Sequence, residues 1–244
     1  MNRKEYPIRI ARGHILLTDD RGTVLLVDTG SPLSFHSDGI LSVGDESFGV
    51  PTSLMGVDSA YITDKVGGPV DGLVGMDIIG RGGLLVDVPG GRVVFGCPPE
   101  GMVRVPSRLG MGYMSLEMEV RGRTAKVIID TGAPTSYVSE SLTAGLLPVG
   151  TVEDFNPFVP GDVFETPLFE FPASIAGLPF TMSAGHLPQV MGSMLGLLGV
   201  DGVVGMELLR LRPLLIADGG VWVSDMRETP TGGERMAGPG GRYR

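Results

Sequence analysis

Two aspartates stand at the ends of nearly identical phrases. "VLLVDTGSPLSF" (24–35) carries Asp28 and "KVIIDTGAPTSYV" (126–138) carries Asp130. In each, a short aliphatic run ends on a carboxylate followed by Thr-Gly. Burying that charge is costly without compensation. The glycine two residues on lets the chain turn back so that backbone N–H groups point at the carboxylate. One such phrase is an ordinary Asx-type turn. Two of them permit a different chemistry. Carboxylates at hydrogen-bonding distance cannot both ionise cheaply, so one is pushed up and the pair holds a single proton. A water between them loses a proton to the charged partner and attacks a carbonyl, which the neutral partner polarises. The expectation is no cofactor and no metal: His14, His36 and His186 are scattered without metal-ligand spacing.

For this chemistry the two loops must be brought face to face, and an internal duplication supplies the means. "VDGLVGMDII" (70–79) recurs as "VDGVVGMELL" (200–209), and "LLVDVPGGRVVF" (84–95) is answered by "LLIADGGVWVS" (214–224). Three blocks recur in the same order. A pseudo-two-fold axis between two such lobes would set Asp28 opposite Asp130. The DTG phrases are offset by 102 residues and the glycine blocks by 130, leaving the second lobe a surplus of 28 residues. The lobes are read as 1–105 and 106–226, with the seam in "GCPPEGMVRVPSRLG" as a crossing linker. Residues 227–244 read as a flexible tail, with a basic interaction motif as the alternative.

The elements that must carry the loops are strands. "TVLLVD", "AKVIID", "GLLVDV", "RVVFG", "PLLIAD" and "VWVSD" are short, β-rich and bounded by turn residues. Gly90-Gly91 and Asp218-Gly219-Gly220 suit hairpin turns. "MDIIG" and "MELLRL" each suit a short helix start. The expected class is all-β, in two pseudo-symmetric, barrel-like lobes with a cleft between them. The 244 residues suffice for one large domain or for two lobes with their own cores. A net charge of −9 argues against nucleic acid or an anionic membrane as partner. No apolar run approaches the roughly 20 residues of a membrane-spanning helix, and the N-terminal stretch lacks an apolar signal core. A lone cysteine, Cys97, forms no internal disulfide and reads as a small buried residue, so the expected compartment is cytoplasmic.

Asp28-Thr29-Gly30-Ser31 and Asp130-Thr131-Gly132-Ala133 resemble the paired active-site loops of pepsin-like aspartic proteases. Leu73-Val74-Gly75 and Val203-Val204-Gly205 resemble that family's hydrophobic-hydrophobic-Gly elements, which thread beside the catalytic loops. The likeness covers both lobes, in a chain far shorter than most pepsins, closer to two fused retroviral-type subunits. It implies an endopeptidase with Asp28 and Asp130 sharing the water and with Thr29 and Thr131 linking the loops through mutual hydrogen bonds. It also implies a preference for apolar residues at the scissile bond, inhibition by pepstatin-like compounds, and an aromatic, Phe35 or Tyr137, behind each loop. With both aspartates in one chain, a monomer is the expected state. The competing reading is a catalytically silent peptide-binding or scaffold protein, against which both aspartates are present.

Three departures from the family pattern carry expectations. With 27 residues before Asp28, a folded inhibitory prosegment does not fit, which leaves activity to be limited by a low rate, substrate choice or a partner. Ala133 stands where the first loop has Ser31; a missing hydroxyl bond to the carboxylate would raise the pair's pKa values, and Ala133→Ser would lower them. The 28-residue surplus includes "VGTVEDFNPFVPGDVFETPLFEF" (149–171), with a β-turn at Val159-Pro160-Gly161-Asp162. This hairpin is expected to be the flap, and Phe155, Phe158 and Phe164 either contact substrate or fill the second core. Tyr61 is the competing flap tyrosine of the first lobe. "MSAGHLPQVMGSMLGLLG" (182–199) reads as core helix and loop, with the lining of a subsite as the alternative.

Overall fold

The computed structural model describes residues 1–155 and 163–224; Phe158, the turn at 159–162 and the tail lie outside them. The architecture is mostly β, in two large sheets of ten and eight strands. The expected hairpins form where the turn residues permit. Leu84–Asp87 pairs with Arg92–Phe95 across the Gly90-Gly91 turn. Leu214–Ala217 pairs with Gly220–Ser224 through Asp218 and Gly219, with φ of 48° and 67°. Both turn positions in the left-handed region suit the right-handed twist of paired strands. Met76–Gly82 and Met206–Leu211 are the two short helices.

Each half threads one strand between the two that flank its DTG loop. Gly72–Val74 runs parallel to Val24–Val27 and antiparallel to Phe35–His36. Gly202–Val204 runs parallel to Arg123–Ile129 and antiparallel to Ser136–Val138. The strands are continuous apolar runs because both of their faces are buried. The chain therefore enters the loop, leaves it, and returns between its own two arms.

The symmetry implied by the repeat is visible in one register. Leu84-Leu85-Val86 and Leu214-Leu215-Ile216 are equivalent positions of the duplication, and they pair antiparallel as Leu84↔Ile216, Leu85↔Leu215 and Val86↔Leu214. A self-complementary pairing of this kind places a two-fold axis at its centre, between Leu85 and Leu215. The ten-stranded sheet thus runs through both halves, and the largest cluster of buried side chains holds Leu25 and Phe95 together with Phe171 and Leu214. The seam is not an open linker. Its Met102–Val105 pairs with Gly220–Ser224, and Ser107–Gly110 with Tyr113–Val120.

The methionine-rich segment departs from expectation. After the strand Leu178–Gly185 it forms a helix, Gln189–Leu197, with no buried residue; Val190 is 75% and Leu197 88% exposed. A helix apolar all round reads from sequence as core, but this one lies on the rim of the cleft, which Met191, Met194 and Leu195 line. Among the described residues no helix is long and apolar enough to cross a membrane.

Candidate active site

The two DTG loops meet at the bottom of a cleft of about 360 Å3. Each carboxylate is first held by its own loop. Gly30 N donates to Asp28 Oδ1 at 2.8 Å and Ser31 N at 3.1 Å; Gly132 N donates to Asp130 Oδ1 at 2.8 Å. The loops then hold each other. Thr29 N donates to Thr131 Oγ1 and Thr131 N to Thr29 Oγ1, both at 3.0 Å. The hydroxyls donate onward, Thr29 Oγ1 to Ile129 O at 2.8 Å and Thr131 Oγ1 to Val27 O at 2.7 Å. Both threonines are fully buried, so these four bonds form without competition from water.

This cross-link sets the separation of the carboxyls. Gly132 lies so close that an added Cβ would stand 2.6 Å from Asp28 Cγ, and a Cβ on Gly30 would overlap the Asp130 carboxyl. The two carboxyls therefore face each other closely enough for each to perturb the other's ionisation. Burial pushes Asp28 above the ordinary carboxylate range. Burial and then the Asp28 charge push Asp130 well above it. Two such acids, both pushed up, titrate as a pair that holds one proton between them.

The threaded strands brace the loops from behind in matching ways. Asp28 N donates to Val74 O and Asp130 N to Val204 O, each at 3.0 Å; Met76 N donates to Ser31 O at 2.9 Å and Met206 N to Ala133 O at 3.0 Å. Gly75 and Gly205 allow the close passage, since a Cβ on Gly75 would stand 2.5 Å from Leu33 O and one on Gly205 would overlap Ala133 O. Leu73 and Val203 are buried and line the cleft. Two serines that sequence reasoning passed over complete the brace. Gly75 N donates to Ser34 Oγ at 2.8 Å, and Gly205 N to Ser136 Oγ at 3.1 Å. Ser34 in turn donates to Asp77 at 2.5 Å, and Ser136 lies near the Glu207 carboxyl. The signal was present: each serine stands six residues after its aspartate, in both phrases.

The asymmetry expected from Ser31 and Ala133 has lost its basis. Ser31 Oγ donates to Leu33 O at 2.7 Å, closing a local turn, and does not reach Asp28. Neither loop therefore gives a hydroxyl bond to its carboxylate, and no downward shift is expected from Ala133→Ser. A hydroxyl two bonds from the backbone finds the turn carbonyl before it finds the carboxylate.

The aromatic residues divide between wall and roof. Phe35 is fully buried behind the first loop, packed with Leu26, Ile62 and Leu73. Tyr137 is buried behind the second, its hydroxyl donating to Asp154 and its ring 6.1 Å from that of Phe164. Burial and then Asp154 push its phenol far up. Of the expected hairpin, the described residues show its two strands, Gly150–Phe155 paired antiparallel with the start of Val163–Ile175. Phe155 and Phe164 line the cleft, so they are not merely core of the second half. Tyr61 also lines it, on a helix Ser59–Val66 capped by Asp58 and stopped by Gly67 in the left-handed region. Tyr61 and Phe155 pack edge to face across the cleft at 6.4 Å, with Lys65 Nζ 5.5 Å from each ring. The rivals for the roof meet there.

Glu207 makes the brace of the second loop sensitive to pH. Ser183 N donates to its Oε1 at 2.8 Å, whereas buried Oε2 has no partner. Burial raises its pKa from 4.5 to about 7. Because the folded pKa exceeds the unfolded one, the unfolded chain ionises first. The contribution of Glu207 to stability is greatest below pH 4.5 and falls as pH rises towards 7. Glu207→Gln keeps an acceptor for Ser183 and removes the ionisation. It is expected to be more stable than wild type at pH 8 by roughly 1–2 kcal/mol, a figure discounted for the side chain's contact with solvent. At pH 4 the difference should vanish. Urea denaturation at the two pH values checks this, and a pH-independent difference would refute it.

No family model matches the sequence, and no curated protein matches it. Among solved structures the chain is similar to a retropepsin-like aspartic protease from Rickettsia conorii, at 12% identity and a TM-score of 0.32 over 51% of this chain and 94% of that one. It is also similar to Basic 7S globulin from soybean, at 10% identity and a TM-score of 0.45 over 92% of this chain and 96% of that one.

Proposed function

We propose that the chain is an aspartic endopeptidase that hydrolyses extended peptides with a water shared by Asp28 and Asp130. One observation carries the reading: each carboxyl is packed against the glycine of the other's loop, so that the two face each other in a buried, cross-linked site. Neither a pair of structural turns nor a salt bridge requires two acids to be set face to face in a buried site. In the proposed reaction the Asp28 carboxylate takes a proton from the water. The water oxygen bonds to the carbonyl carbon, and the Asp130 proton moves to the developing oxyanion. Collapse of the tetrahedral species breaks the C–N bond: the amine leaves with the proton from Asp28, and one hydroxyl of the gem-diol returns its proton to Asp130, which leaves the carboxylic acid and restores the pair. The four threonine bonds hold the acids in place, so reorganisation at the reacting centre is small.

The surroundings suit a peptide with apolar side chains. Leu26, Leu33, Ile128, Met191 and Leu195 line the cleft beside the acids. Tyr61 from one half and Phe155 from the other meet over the cleft, where both would lie against a bound peptide. Both acids belong to one chain, so a monomer suffices. The test is incubation with a peptide library from pH 3 to 8. Cleavage next to apolar residues, blocked by a statine-containing inhibitor, is the expected result. Binding without cleavage at any pH would overturn the assignment in favour of a silent peptide-binding protein.

A further inference from the structure

The eight-stranded sheet extends the cleft beyond the dyad. Its strands Ser107–Gly110, Tyr113–Val120 and Arg123–Ile129 pair antiparallel, with Arg108 opposite Ser115 and Ser115 opposite Ile128. Residues directly opposite share a face, and so do alternate residues of one strand. Met114, Leu116 and Val127 take the core face. Arg108, Tyr113, Ser115, Lys126 and Ile128 therefore take the other, where they line a second pocket of about 200 Å3. Tyr113, Ile128 and Leu198 line both this pocket and the cleft, so the two adjoin. Ile128 stands two residues before Asp130.

The charge of this pocket is one-sided. Arg108 is exposed and Lys126 half-buried, and among the described residues no carboxylate lines the pocket with them. Neither side chain makes an ion pair among the described residues. Glu117 stands opposite Lys126 in the register without pairing with it, and Asp201 accepts from the Lys126 backbone N–H at 2.9 Å. The Ser115 hydroxyl donates to Arg108 O at 3.1 Å and so ties the two strands together. In a chain of 28 acidic and 19 basic residues, two cations thus share a pocket without an acid between them. Like charges so placed favour an anion from outside, and a guanidinium suits a carboxylate in particular. On the peptidase reading above, we infer that this pocket is a subsite for an acidic side chain of the bound peptide, its carboxylate held between Arg108 and Lys126. The cleft then selects apolar residues at the dyad and one Asp or Glu further along the same peptide.

The test measures kcat/KM at pH 6 and low ionic strength for C-terminally amidated peptides with an apolar centre, each carrying Glu or neutral Gln at one position. Glu is ionised at this pH. Wild type should favour Glu over Gln about 5–20-fold at one position, the worth of a charge-assisted hydrogen bond in a partly open site. Salt at about 1 M, where the screening length is about 3 Å, should shrink that ratio. In the double variant Arg108→Gln, Lys126→Gln the ratio should fall to about 1. In Arg108→Glu, Lys126→Glu the preference should reverse, with Lys favoured over Gln at the same position. A loss of fold alone does not reverse a preference between two peptides. A wild-type ratio near 1 at every position, or one that survives in the Gln double variant, overturns this inference and leaves the dyad reading intact. So does a preference for free-acid over amidated peptides with none for Glu, which would give the pocket to the peptide's C terminus. Cleavage of no peptide by wild type overturns both.

Discussion

Asp28→Asn is expected to lose at least roughly a thousandfold in kcat while melting at a higher temperature than wild type at neutral pH. The first effect follows from the protonation states. The pair shares one proton and one charge, so an amide at position 28 leaves it unable to serve in turn as base and acid. The second follows from linkage. Burial raises the folded pKa of Asp28 above its unfolded value of 3.8. The unfolded chain therefore ionises first, and stability falls as pH rises through and beyond 3.8. An amide neither ionises nor contributes to that fall. Asp130→Asn should be as inactive, since it removes the acid. Peptide hydrolysis and thermal melts on the same preparations check both effects. Retained activity in either variant would sink the dyad mechanism, whereas lost activity with lower stability at neutral pH would point to acids that serve the fold.

Gly30→Ala and Gly132→Ala are expected to lower kcat/KM by at least about 100-fold, the order of loss that a displacement of about 1 Å brings to a positioned catalytic group. Neither glycine has a positive φ, so alanine suits the backbone at both sites. The obstacle is the carboxyl opposite. The new methyl at 30 overlaps Asp130, and that at 132 comes within 2.6 Å of Asp28 Cγ. Each substitution must therefore displace the acid of the other half. The crowding should also cost roughly 1–3 kcal/mol in stability. Gly80→Ala is the control. In the helix Met76–Gly82, a Cβ there meets nothing within 4 Å, and alanine should stabilise the helix by about 0.5–1 kcal/mol with activity unchanged. Wild-type activity in Gly30→Ala would show that the acids do not meet as described.

Much of the site was legible in advance because it is written twice. The repeat of DTG, of the glycine blocks and of the closing hairpins supplied both the loops and the symmetry between them. The same comparison, pressed further, would have yielded Ser34 with Ser136 and Asp77 with Glu207. The helix Ser59–Val66 was also readable, from Asp58 before it and Gly67 after it, but its eight residues gave too short a pattern to stand out. The role of Ser31 was not readable. Only the turn decides that its hydroxyl faces the Leu33 carbonyl and not Asp28.

Local order in this chain follows from residue type: aliphatic runs make strands, and glycines and aspartates turn them, wherever the rest of the molecule lies. Contacts across the axis follow a different logic. The meeting of Tyr61 with Phe155 and the apolar rim helix Gln189–Leu197 both depend on how the halves are set against one another. That setting arises where Leu85 meets Leu215 and Thr29 meets Thr131, pairs far apart along the chain. A repeat in the sequence can announce that two halves are alike. How closely they approach is decided by packing at their junction, where a single methyl group would part the acids.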